Sequence, residues 1–189
     1  MNPDIQRALI PRDETRHLIG ALDAMKAKLL DAAQQWQLLD ESGRVPASPS
    51  YTELLQHAAD AQDLSHDVVQ LTADFAQSPH STNRVGRAVL AHLATAATMS
   101  SHAAPRFIET AETALSLSPS ASPITRQYRE NSMVIDHATA RAYLRRTSES
   151  LRDASKELNA HLDFHRFFPA PSRPESPASP PPRPSAHHR

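Results

Sequence analysis

The chain contains no cysteine, so it can hold no disulfide framework, thiol chemistry or thiolate metal site. Glycine is almost as scarce: Gly20, Gly43 and Gly86 are the only three. A phosphate-cradling loop or a dinucleotide fingerprint needs clustered glycines so that backbone can approach the ligand, and neither can be built from these. Asn-Gly and Asp-Gly hairpin turns are missing as well. Aromatic residues make up 5%, too few for a base-stacking platform. Neither sign of charge prevails. With 20 basic and 21 acidic side chains the formal net charge is −1, which argues against a dedicated nucleic-acid binder. No apolar run approaches a membrane-spanning length, and the opening MNPDIQRALIPRDETRH lacks the apolar centre of a signal peptide. A cytoplasmic location is the expectation.

What is present in quantity is alanine, leucine, glutamine and arginine, all good helix formers. Across 13–41, Leu18, Leu22, Met25, Leu29, Ala32, Trp36 and Leu39 recur at alternating spacings of four and three, a heptad seam. Across 51–77 a second seam comprises Leu54, His57, Ala61, Leu64, Val68, Leu71 and Phe75, with Ser50 and Glu53 at capping-box spacing. A third segment, 81–117, has a thin face of Leu90, Leu93, Ala97, Ala104 and Phe107. Pro105 lacks an N–H and clashes with the carbonyl of Ser101 in a straight helix, so a kink is expected there. The fourth segment opens at Ser122-Pro123 and runs to 168, roughly 65 Å at 1.5 Å per residue. Its early seam reads Ile124, Tyr128, Ile135, Ala138 and Ala142, and its later one Leu144, Thr147, Leu151, Ala154, Leu158 and Leu162. A phase slip near Tyr143 is the expectation, with part of the helix projecting beyond its neighbours.

From Pro169 the chain becomes PAPSRPESPASPPPRPSAHHR, too poor in apolar residues to offset the entropy of ordering. The expected architecture is therefore all-α: an antiparallel up-down-up-down four-helix bundle over 1–168, with a kinked third helix, a long fourth helix and a disordered Pro-rich tail over 169–189. A dimer of helical hairpins is the alternative, because heptad seams also drive self-association. The turn after Trp36 reads Trp36-Gln37-Leu38 and lacks the Trp-x-Gly of secretion-associated helical hairpins.

In such a bundle, the start of the first helix and the end of the last share one end. Glu157, His161 and His165 lie one turn apart there, opposite His17. Imidazoles and carboxylates at that spacing can chelate a transition metal, so these four are the metal candidates. The simpler reading is a capped helix start and a helix C-terminus where His165 and Arg166 suit the negative end of the dipole. His57, His92 and His137 fall at or beside seam positions, where a polar residue more often fixes register than binds a ligand. Arg141, Arg145, Arg152 and Lys156 suggest a basic stripe, but Glu149, Asp153 and Glu157 interrupt it and a solvated ion-paired face explains it. Within the tail, 180-PPPRP-184 has the composition of ligands for aromatic-lined grooves, although a solubilising linker is simpler. No catalytic constellation or cofactor site can be assembled. The expected function is a non-enzymatic protein-protein interaction, scaffold or regulatory role, through self-association or a protein partner. A metal-binding bundle is the alternative, and nucleic-acid and membrane-surface roles fit less well.

Overall fold

The computed structural model of the chain describes residues 10–117 and 120–167, with side chains to Phe164. The Pro-rich segment from Pro169, including 180-PPPRP-184, lies outside the described residues, as does the side chain of His165. The described chain is all-helical, with α1 Arg12–Gln35, α2 Tyr51–Gln77, α3 Arg84–Ser101, α4 Ala103–Leu115 and α5 Pro123–Phe167. The helices α3 and α4 are the two parts of one expected helix, interrupted at His102. The interruption falls three residues before Pro105, beside the Ser101 carbonyl that the proline ring would strike.

Local signals set most boundaries. The Ser50 side chain accepts from the Glu53 N–H (3.3 Å), and the Ser122 Oγ accepts from the Thr125 N–H (3.2 Å). Asn83 caps α3 by accepting from the Gly86 N–H at 2.7 Å, so the helix starts at Arg84 rather than at the expected 81. Gly86 itself is required by contact: a Cβ there would stand 1.9 Å from the His80 carbonyl oxygen. The first helix ends at Gln35, six residues before the expected 41. Asp40 is the reason. Its carboxylate accepts from the N–H groups of Ser42 (2.8 Å) and Arg44 (3.2 Å), and Gly43 takes φ 75°. That turn competes with continued helix. As a consequence Leu38 is buried and Leu39 is not.

Side-chain contacts give the helix directions. The Ile10 N–H meets His161, and Arg141 donates to the Ala33 carbonyl, so α1 and α5 run antiparallel. Glu14 meets His80 and Lys28 meets Asp67, which sets α1 antiparallel to α2. Ser65 meets Ser100 and Thr72 donates to the Leu93 carbonyl, which does the same for α2 and α3. Arg106 meets Asp136, closing α4 onto α5. At the α2–α3 contact the Ser65 and Ser100 hydroxyls lie 3.1 Å apart, and Ala61 and Ala96, one turn away on each helix, are buried. The soft middle of the third segment therefore serves close helix approach.

The last helix departs from expectation in one respect. Along its inner side Met133, His137, Ala140, Leu144, Thr147, Leu151, Ala154, Leu158 and His161 are buried, with Ser148 and Ser155 buried beside them. That is one continuous four-three seam without a slip at Tyr143. Ile124, Tyr128 and Ile135, expected on the early seam, are 83%, 76% and 64% exposed. The sequence offers two apolar stripes on opposite sides of this helix. The buried one is in phase with Leu151 and Leu158, because a single helix packing along its whole length can turn only one side inward. Nor does the first third of α5 project freely. Met133 packs in a small second core with Leu38, Leu54 and Ala111, while Arg126 donates to the Ala47 carbonyl.

Candidate functional site

At the shared end of the bundle, α1 meets the segment after α2. His80 Nε2 lies 3.1 Å from a Glu14 oxygen, and Glu14, His17 and Asp74 line one surface cavity of about 290 Å³ with Leu18, Leu71 and Phe75. His161 is buried and Leu162 only half-buried, the reverse of the seam expectation. The His161 Nε2 accepts the Ile10 N–H at 3.1 Å, so this imidazole ties the segment before α1 to the last turns of α5. His17 and Glu157 are exposed. Among the described residues, no three His, Asp or Glu side chains form a metal-holding group.

The bundle holds a cluster of four rings, Trp36 just past the end of α1, His57 on α2, Phe107 on α4 and His137 on α5. Trp36 stacks on His57 with centroids 5.1 Å apart, and Phe107 stands edge-on to Trp36 at 5.3 Å and to His137 at 5.2 Å. His57 and His137 face each other at 6.1 Å. They are 7% and 2% exposed, and neither His57 Nδ1 nor His137 Nε2 has a hydrogen-bond partner. Burial lowers the His57 pKa, against the pull of the Glu53 and Asp60 carboxylates. Burial, with His57 and Arg141 alongside, lowers that of His137 to about 4. Both rings are therefore neutral at pH 7 and pack as aromatics, with a titratable nitrogen left in the core.

Between α1 and α2 the surface opens into a cavity of about 330 Å³. Asp31, Asp60, Asp63 and Asp67 line it over a floor of Ala32, Trp36 and Leu64, and Lys28 reaches Asp67 at 3.6 Å. Carboxylates on a solvent-open wall are ordinary surface groups and need no ligand.

The outward side of α5 is the most unusual surface. Positions 124, 128, 131, 135, 138 and 142 share one stripe opposite the buried seam, and hold Ile, Tyr, Asn, Ile, Ala and Ala. Every charged residue between 123 and 142 instead bonds within the bundle. Arg126 meets Glu130 at 2.9 Å, Arg129 donates to the Ser116 carbonyl, Asp136 meets Arg106 at 3.3 Å, and Arg141 donates to the Ala33 carbonyl at 2.7 Å. The expected basic stripe is thus divided, since Arg141 turns inward while Arg145 and Arg152 stay outside with Lys156. Sequence reading found the residues of the outward stripe but assigned them to the core. The signal that separates the two sides is the phase of the longer seam.

No helix among the described residues is long and apolar enough to cross a membrane. Comparison of the chain with protein-family models, with curated proteins and with solved structures gives no match.

Proposed function

We propose that the protein is a cytoplasmic, non-enzymatic helical-bundle interaction or scaffold protein, and that the outward side of α5 is its docking surface. One observation carries this reading. Ile124, Tyr128 and Ile135 stand in solvent on one side of a helix whose opposite side already fills the core. Contiguous apolar surface of this kind, left uncovered on a folded bundle, marks an interaction site. A rigid helix presenting anchors at heptad spacing is a common way to meet another helix. The rest of the bundle serves as the scaffold that holds this surface in place.

The test places a photo-crosslinking amino acid at Tyr128 in cells expressing the full chain, with a second probe at the exposed Ala91 as control. Adducts at Tyr128 with a protein, whether this chain or another, are expected, and Ala91 should give none. Equal labelling at the two positions, or none at Tyr128, would overturn the reading.

A further inference from the structure

Resting on that reading of α5, we infer that the protein covering this face is a second copy of the same chain. The two α5 helices run antiparallel about a two-fold axis at the level of Met133.

The spacing of the stripe is the first reason. Positions 124, 128, 131, 135, 138 and 142 follow a 4-3-4-3-4 order, which reads the same in both directions. An antiparallel two-fold centred on 133 therefore brings each position onto another of the same stripe. Ile124 faces Ala142 of the second copy, Tyr128 faces its Ala138, and Asn131 faces its Ile135. Large side chains meet small ones at both outer layers, which is how facing helices interdigitate at close approach. An isologous contact requires this self-complementarity, and a heterologous partner has no need of it.

Charge is the second reason. The flanks of the stripe carry Thr125, Gln127, Ser132 and Thr139, none of them ionic. Arg126, Arg129, Asp136 and Arg141 are all bonded inside their own bundle. A neutral face offers no charge for a charged partner to recognise, and it brings no like charges together when it meets itself. The face also has an end. The next stripe positions after Ala142 are Arg145, Glu149, Arg152 and Lys156, so the contact stops after about 27 Å of helix. Two helices in contact over that length make an interface at the small end of the stable range, so association in the micromolar range is expected.

Sedimentation equilibrium of the full chain across concentration measures this directly. The mass should rise toward twice 20.8 kDa. Tyr128→Lys and Ile135→Asp should each weaken association about tenfold or more. Because both side chains are exposed, the thermal melt of dilute protein should be unchanged, which separates lost association from lost folding. Ala142→Arg, at the edge, repeats the test with a residue of different size. The absence of cysteine allows the register to be read without background. Ile124→Cys and Ala142→Cys chains mixed and oxidised should form the mixed disulfide, while Ile124→Cys alone should not.

A self-crosslink of Ile124→Cys, as a parallel pair would give, overturns the register. A dimer indifferent to Ile135→Asp overturns the surface. A monomer at every concentration whose Tyr128 probe captures a different protein overturns the second copy but leaves the docking surface standing. A monomer with no Tyr128 adduct removes both.

Discussion

The two halves of α5 share one inner seam and differ entirely on the outside. From 124 to 142 the outward stripe reads Ile, Tyr, Asn, Ile, Ala, Ala, and from 145 to 159, in the same phase, Arg, Glu, Arg, Lys, Asn. The inner side does not change character between them, because Met133, Leu144, Leu151 and Leu158 are all buried. A helix whose only task was to close the bundle would be solvated on its outer side along its whole length. The second half meets that description, with Lys156 and Arg152 sharing Asp153 at 2.8 and 3.6 Å. The first half does not. The difference separates what the fold requires, which is the inner seam, from what the fold leaves free.

Large effects should therefore fall on the inner seam of both halves alike. Leu144→Ala and Leu151→Ala, each fully buried, are expected to cost about 2–5 kcal/mol of unfolding free energy. Ile135→Ser on the outer side should cost less than about 0.5 kcal/mol in dilute protein. Urea melts of the three variants measure this. A cost for Ile135→Ser near that of Leu144→Ala would mean that the outer stripe is part of the core, and the contrast between the two sides would collapse.

The seam also contains a titratable point. His137 is neutral in the folded chain because its pKa is depressed to about 4, against 6.5 when free. A depressed histidine contributes its full stability above pH 6.5 and loses it as pH falls from 6.5 toward 4, up to about 3 kcal/mol in all. His57, shifted in the same direction by burial, adds to the loss. Melts at pH 7.5, 5 and 4 should show this decline, and His137→Leu should flatten it. Carboxylates also titrate near pH 4 but are common to both proteins, so the difference between the two curves isolates the imidazole. An unchanged slope in His137→Leu would show that the ring takes up its proton without disturbing the packing.

These effects also show how far the sequence could be read. Four helical rods, their caps at Ser50 and Ser122, the break near Pro105 and the seams of α1 and α2 through Leu22, Leu29, Leu54 and Val68 all follow from local chemistry and heptad spacing. The end of α1 did not follow, because Asp40 and Gly43 build a competing turn that periodicity alone cannot weigh. The inner side of α5 did not follow either. Ile124, Tyr128 and Ile135 are larger than Met133, His137 and Ala140, so local hydrophobicity favours the wrong stripe until Leu144 to Leu158 fix the phase. The meeting of Trp36, His57, Phe107 and His137 is a property of four rods in register, and no spacing within one helix contains it. At the bundle end, His17 lines a cavity with Glu14 and Asp74 while His161 turns inward. The role of His161 as acceptor for the Ile10 N–H depended on which of residues 161 and 162 faced inward.

The smallest expected effect tests the other half of the comparison. Lys156→Ala removes the cation that lies 2.8 Å from Asp153 on an exposed helix surface, where water and salt screen the pair. The melting temperature should fall by less than about 2 °C at low ionic strength, and the fall should disappear in about 0.5 M salt. Sedimentation should be unaffected, because the charged stripe lies beyond Ala142, outside the paired length of α5. Scanning calorimetry at two salt concentrations, run beside sedimentation of the same variant, separates the two readouts. If Lys156→Ala weakened association as strongly as Ile135→Asp, the contact between copies would extend over the charged half. The neutral and charged faces would then be one surface rather than two.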